Sequence, residues 1–194
     1  MALFQNYIKR LHSVTDDFYW HPVDLLVEEL RVCWQDRKRV FLCGNGGSAA
    51  NAIHMANDLV YASAPSGSGI RALALPANIA IISCIGNDMS YQDIFSHQIA
   101  TQGDSGDVLI ALSGSGNSEN IVRAIKQSQS MGIKTFAILG YDGGVSKDLA
   151  DIAIHFPVDD MQIAEDLQLI VGHMVMQKLM EPTDDAKSSA GESA

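Results

Sequence analysis

Basic residues are scarce in this 194-residue chain: 13 lysines and arginines stand against 23 aspartates and glutamates, a formal net charge of −10. A general nucleic-acid binder needs a basic face, so that class is excluded, although one small basic pocket is not. Long apolar runs are missing too. No segment approaches the ~18 residues of a membrane span, and the opening MALFQNYIKRLHSV has no basic-then-apolar signal pattern. The expectation is a cytoplasmic protein with no membrane attachment. Only three cysteines occur, Cys33, Cys43 and Cys84, and there is no Cys-x-x-Cys. An odd, scattered set reads as reduced thiols held mostly in the core, not as a disulfide framework or a zinc cluster.

What remains is a regular alternation of elements, in a length that suits one domain with a real core. Phe4, Ile8 and Leu11 recur at helical spacing and predict a first helix over Leu3–Val14. HPVDLLVEELRVCWQDRK predicts a second, with Leu25, Leu26, Leu30 and Val32 on its apolar side and Pro22 in its first turn. The period then changes. RVFLC, IRALAL, DVLIAL, KTFAIL and DIAIHF are short, apolar on both faces and separated by helical stretches, which suits a parallel sheet covered on both sides. The intervening helices are predicted at Ser48–Tyr61, Ile79–Cys84, Ile94–Thr101, Ser118–Met131 (stopped by Gly132) and Ser146–Ala150, with a long last helix over Ile163–Met180. The fold class is therefore α/β: one doubly wound parallel sheet flanked by helices, preceded by an N-terminal helical pair. Residues 1–182 are expected to form a single domain, and the small, polar residues 183–194 a disordered tail.

Strand, small-residue loop and helix follow one another twice, at CGNGGSAAN and at LSGSGNSEN. Such loops sit at the carboxyl edge of a parallel sheet, where ligands bind. Gly-Asn-Gly-Gly-Ser leads free N–H groups into a helix start, an anion-binding arrangement. The second loop adds the hydroxyls of Ser113, Ser115 and Ser118, which can hold a phosphate without lysine or arginine. Gly44-x-Gly46-x-x-Ala49 fits a dinucleotide fingerprint, but the next strand ends in Pro76 and Ala77 with no acid for a ribose, and neither loop has the P-loop lysine. One such loop alone is often only a tight turn; two in matching positions favour phosphate.

His54 and Asp58 lie four apart on the helix after the first loop and so share one face. A lone pair of this kind is commonly a surface ion pair, but this one starts about a turn into a helix that opens on the ligand. On the last helix Glu165, Asp166, Gln168 and His173 form a second group. Asp166 shares a face with His173 best, Glu165 lies ~80° from it, and periodicity leaves the two acids open. The apolar LIVGHMVM suits a core histidine as well as a ligand, with Gly172 fitting close packing and Met174, Met176 and Met180 reading as packing residues. His12, His21, His97 and His155 have no acid or cysteine at ligand spacing and read as surface residues.

Taken together, GNGGSAANAIH, IGND, GDVLIALSGSGNS, YDGG and the terminal Glu165-x7-His173 resemble the sugar isomerase (SIS) domain family, and within it the phosphoheptose isomerases, from Val40 to His173. The resemblance implies a homotetramer with sites between subunits. It implies the conversion of sedoheptulose 7-phosphate into D-glycero-D-manno-heptose 7-phosphate through an enediol, feeding lipopolysaccharide or capsule heptose. Carried over, substrate contacts fall at Asn45, Gly46, Gly47, Asp58, Asn87, Asp88 and Glu165, with Ser113, Gly114, Ser115 and Ser118 holding the phosphate. Zinc ligands fall at His54, Asp58, Glu165 and His173, and the catalytic pair is Asp58 and His173. Two departures stand out. The isomerases place Glu where this chain has Asp58, and Gln where it has Glu165; Asp loses about 1.5 Å of reach, and misplacing a base by ~1 Å can cost ~100-fold in rate. Their arginine-containing stretch is replaced by YASAPSGSG, with only Arg71 nearby. The alternative readings are a non-catalytic relative that binds phosphosugars or the replication initiator protein, and an isomerase of another phosphosugar.

Overall fold

The computed structural model describes residues 2–61 and 68–181. Most of the replaced stretch YASAPSGSG and the whole of the 183–194 tail lie outside the described residues. Five strands pair in parallel in the order β2-β1-β3-β4-β5. They are β1 (Arg39–Cys43), β2 (Arg71–Ala74), β3 (Val108–Ser113), β4 (Lys134–Leu139) and β5 (Ile152–His155). Eight helices are described: α1 (Ala2–Thr15), α2 (His21–Gln35), α3 (Gly47–Tyr61), α4 (Ile79–Asp88), α5 (Ser96–Gln102), α6 (Glu119–Ser130), α7 (Gly144–Leu149) and α8 (Met161–Met180).

Alternation along each strand builds two cores. Val40 and Leu42, Val108, Ile110 and Leu112, and Phe136 and Ile138 face α2, α3 and α8. Phe41 and Cys43, Leu109 and Ala111, and Ala137 and Leu139 face α4, α5 and α6. Because both faces are covered, the strands read as unbroken apolar runs. The order 2-1-3-4-5 reverses direction between β1 and β3, and in such sheets the ligand crevice lies at that reversal, beyond the carboxyl ends of the strands. The loops after β1 and β3 are the two that carry the small residues.

Several details differ from the sequence reading. The helix predicted at Ile79–Cys84 continues to Asp88; Asn78 caps its start by accepting from Ile81 N, and the last turn closes with Met89 N donating to Ile85 O. The helix predicted at Ile94 begins at Ser96, since Tyr91–Asp93 closes a 3-10 turn first. In α2 the buried face is Val23, Leu26, Val27, Leu30 and Cys33; Leu25 is half-buried and Val32 faces out. Most of the periodic face of α1 is not core: Phe4 is 75 % exposed and Ile8 is exposed as well, as is neighbouring Leu3. Leu11 packs with Tyr7 and Val14 against the core, and polar bonds fasten the helix: Tyr7 Oη donates to Asp166 at 2.6 Å and Arg10 pairs with Asp160 at 2.5 Å. Met176 packs, whereas Met174 and Met180 are exposed. Cys33 and Cys43 are buried but Cys84 is exposed. Arg71 pairs in register with Arg39 at the amino edge of the sheet, opposite the crevice, and donates to Arg37 O at 2.8 Å.

Candidate active site

The glycine loop and the serine loop face each other across the β1–β3 reversal. Between them is a cavity of about 250 Å³ lined by Asn45, Gly46, Gly47, Ser48, Leu112, Ser113, Gly114, Ser115, Ser118, Met161 and Glu165. Among the described residues no lysine or arginine lines it. Its donors are hydroxyls and helix starts. Ser113 Oγ accepts from Gly116 N at 3.0 Å and Ser115 Oγ from Asn117 N at 3.3 Å, which leaves each O–H hydrogen to donate. Ser118 is the N-cap of α6, yet its side chain makes no cap bond. Three hydroxyls thus surround a helix start whose first N–H groups have no partner inside the helix.

Glu165 stands opposite, on the second turn of α8. Its carboxylate packs directly on Gly47, so that a Cβ at 47 would lie 2.5 Å from Glu165 Cδ. Asp166 turns the other way, to α1, where it accepts from Tyr7. Burial, together with this bond to a carboxylate, pushes the Tyr7 phenol up to about 12. Gln168 is fully buried and does not reach the cavity. It accepts from Asn51 Nδ2 at 2.9 Å and donates to Ser48 Oγ at 3.0 Å, while Asn51 also donates to Glu165 O at 2.9 Å. This buried network ties the start of α3 to α8 and so fixes the glycine loop against the helix that carries Glu165.

A second cluster lies farther along the same two helices. His54 Nε2 is 3.0 Å from His173 Nε2, and Asp58 Oδ2 is 3.3 Å from His54 Nε2 and 3.8 Å from His173 Nε2. Two imidazole nitrogens and a carboxylate oxygen converge within 4.8 Å of one another, a group that could hold a metal ion. The setting is open: the His54 and His173 side chains are 46 % and 55 % exposed, and that of Asp58 24 %. Short as it is, Asp58 reaches both histidines. Glu165, the fourth residue expected there, does not join this group. Its backbone is eight residues from His173, ~12 Å along the helix, and Gly47 is seven from His54, ~10 Å.

Asn87 and Asp88 end α4 and do not line the cavity. They bond to each other at 2.7 Å, and Cys84 Sγ donates to Asp88 Oδ2 at 3.5 Å. That bond holds the Cys84 thiol above its ordinary value. His12, His21 and His97 are exposed, while His155 is half-buried with Nε2 at 3.0 Å from Tyr141 O. Two residues that no ligand spacing in the sequence marks, Asn120 and Tyr91, hold Asn45. Asn120 pairs with Asn45 by two amide bonds, and Tyr91 Oη donates to Asn45 Oδ1. Asn120 sits inside LSGSGNSEN, two residues after Ser118, and that position was the available signal.

The chain and its fold have known counterparts. A family model described as the SIS domain matches residues 4–140. The phosphoheptose isomerase of Clostridium acetobutylicum is 39% identical over 160 residues, 82% of each chain. That of Akkermansia muciniphila is 38% identical over 150 residues, 76% of this chain and 79% of the other. Two solved structures superpose closely. A phosphoheptose isomerase from Francisella tularensis gives a TM-score of 0.86 at 23% identity, covering 93% of this chain and 96% of that one. One from Neisseria gonorrhoeae gives 0.83 at 26%, covering 92% and 95%. This chain belongs to the SIS-domain family and, within it, to the phosphoheptose isomerases.

Proposed function

We propose that this protein interconverts an aldose and a ketose phosphate, with sedoheptulose 7-phosphate and D-glycero-D-manno-heptose 7-phosphate as the pair. The observation that carries the reading is the two-ended layout: a hydroxyl-lined anion cradle at the starts of α3 and α6, and a His–His–Asp cluster ~10–12 Å farther along α3 and α8. An extended chain advances ~1.2 Å per bond, so a seven-carbon sugar with its phosphate in the cradle sets C1 and C2 near the cluster. Ser113, Ser115 and Ser118 grip the phosphate, Asn45, Gly46 and Gly47 close over it, and Glu165 accepts a hydroxyl from the chain between the two ends.

The cluster is the metal centre in this reading, with zinc as the ion. Bonds of roughly 2.0–2.1 Å in a tetrahedron space the ligand atoms by ~3.3 Å, and the three edges here are 3.0, 3.3 and 3.8 Å. His54, Asp58 and His173 would hold it and leave a fourth position open. Bound there, the ion supplies Lewis acidity to the oxygens at C1 and C2. The chain's own groups move the protons. Asp58 turns Oδ2 to the histidines, while Oδ1 accepts from Asn57 Nδ2 at 3.2 Å and is the atom available to take the proton at carbon. His173 serves the oxygen. The exposure of the cluster and of Leu3, Phe4 and Ile8 favours a homo-oligomer, a tetramer by the family pattern, whose neighbouring subunit dries the site. Among the described residues no helix is long and apolar enough to cross a membrane, in keeping with work in the cytoplasm on a phosphorylated sugar.

The test is turnover. Full-length protein, stripped with a chelator and reloaded with zinc, should convert sedoheptulose 7-phosphate to the aldose, and the stripped form should not. Binding without turnover in the loaded form would replace this reading with that of a phosphosugar-binding module.

A further inference from the structure

The side chain of Asn45 is almost wholly committed before any ligand arrives. Its Nδ2 donates to Asn120 Oδ1 at 2.9 Å, and its Oδ1 accepts from Asn120 Nδ2 at 2.8 Å and from Tyr91 Oη at 3.0 Å. A primary amide offers two N–H donors and two lone pairs. Both lone pairs and one N–H are taken, so a single N–H is left to the cavity that Asn45 lines. Asn120 is 2 % exposed and its amide bonds to no other described residue, so a flip of one side chain alone would set O against O and N against N. Tyr91 Oη donates to Oδ1 as well, so in this orientation both lone pairs of Oδ1 are occupied. It stands on the 3-10 turn Tyr91–Asp93, which is itself held: Ser90 Oγ donates to Asp93 Oδ2 at 2.6 Å and Arg123 Nη1 to Asp93 Oδ1 at 2.8 Å. Arg123 and Asn120 both belong to α6, so one helix fixes both supports of Asn45.

We propose that Asn120 and Tyr91 are positioning residues: they hold the Asn45 amide in place, so that it adds its one remaining side-chain N–H to the donors that the glycine loop presents to the sugar phosphate. The lock also rivets the glycine loop to the start of α6 and sets the width of the cavity between the two loops. With both lone pairs of Oδ1 occupied, Asn45 favours a ligand oxygen at this point over a group that can only donate. This inference rests on the phosphosugar reading of the cavity.

Two measurements on the full chain separate the inference from that reading. The first is the Asn45 side-chain NH2 signal in 15N-labelled protein. It should show one N–H shifted and slow to exchange in the wild type, and should lose that signature in Asn120→Leu, which fills the space without bonding. The second is calorimetric affinity for sedoheptulose 7-phosphate with the accompanying kcat and KM. A hydrogen bond to a charged group is worth ~10–100-fold, so N120L and N120A should both lose about that much in affinity and KM, with kcat changed less. Tyr91→Phe, at an exposed position that tolerates change, should lose roughly threefold to tenfold. A purely space-filling role for Asn120 would instead rank N120L well above N120A. Unchanged Asn45 signals in N120L, or affinities within twofold of wild type in both N120L and Y91F, overturn the lock. Should N120L fail to fold, the Asn45 signal and affinity of Y91F decide. Failure of the wild type to bind any sugar phosphate would sink the phosphosugar reading, while the Asn45 signals still decide the lock.

Discussion

Replacing Gly47 by alanine separates stability from function in a way the geometry makes quantitative. Gly47 opens α3 and has no positive φ, so alanine fits the backbone there and should stabilise by about 0.4–1 kcal/mol through the unfolded chain. In a chain of this size that raises Tm by about 1–4 °C. The three atoms nearest the new methyl would all belong to the carboxylate of Glu165, with Cδ at 2.5 Å, and that group is the far end of a flexible side chain. It must retreat by ~1 Å to reach ordinary contact, and a displacement of that size in a reacting site costs ~100-fold. Gly44→Ala is the control. There the Cβ would lie 2.5 Å from the backbone oxygen of Ser48, which has no such freedom. The assays are a thermal melt and kcat/KM for sedoheptulose 7-phosphate with saturating zinc. G47A should melt at or above wild type with activity down by two orders of magnitude, and G44A should melt several degrees lower. A G47A protein that keeps more than half of its activity, or melts well below wild type, refutes the reasoning about Glu165.

Other perturbations read other parts of the molecule. Asp58→Asn removes the only carboxylate of the His54–Asp58–His173 group; outer-shell changes already cost ~10–100-fold in metal affinity, so competitive chelator titration should show at least that loss, and an unchanged affinity would remove Asp58 from the metal set. Asp160 caps α8 through Gln162 N and Ile163 N and pairs with Arg10; the Ile163 N–H, then the Arg10 guanidinium, hold its carboxyl below the ordinary range. A depressed folded value means stability present at neutral pH and lost as pH falls below the carboxylate range, so Asp160→Ala should start about 1 kcal/mol less stable and show a flatter acid limb; parallel acid limbs would contradict this. Burial pushes the Cys33 thiol up to about 12 and raises Cys43 as well. Mass spectrometry after alkylation of native protein should therefore find one modified thiol, at Cys84, and modification of Cys33 or Cys43 without unfolding would overturn the burial argument.

What could be read from the chain, and what could not, divides by whether the signal is local. The strands were legible because Val40 and Leu42 enter one core while Phe41 and Cys43 enter the other, which leaves no polar position to blur the run. The loops were legible because small residues followed by a helix start leave their mark in sequence. Position on a helix face was legible, but its occupant was not: Phe4 and Ile8 have the right period, and among the described residues they remain exposed. Spacing could not choose between Glu165 and Asp166, which lie ~100° apart; the family resemblance chose Glu165 as a zinc ligand, but it lines the cavity without joining the His–His–Asp group, and Asp166 is spent on Tyr7. Gln168 looked like a site residue from its neighbours in sequence, yet its partners Asn51 and Ser48 lie more than a hundred residues away and draw it into the interior. Asn120 and Tyr91 escaped for the same reason, since their link to Asn45 joins the loop after β1 to two later segments.

The central claim is that the hydroxyl cradle and the His–His–Asp cluster are two ends of one site, and a chain-length series tests it most directly. Zinc-loaded protein should be given terminally phosphorylated 2-ketoses of five, six and seven carbons, and kcat/KM measured for each. Removing two carbons shortens an extended chain by ~2.4 Å, which leaves C1 and C2 out of reach of Asp58 when the phosphate sits among Ser113, Ser115 and Ser118. The seven-carbon substrate should be preferred over the five-carbon one by at least ~100-fold, with the six-carbon sugar between them. Equal kcat/KM across the series would show that the two clusters do not act on one substrate.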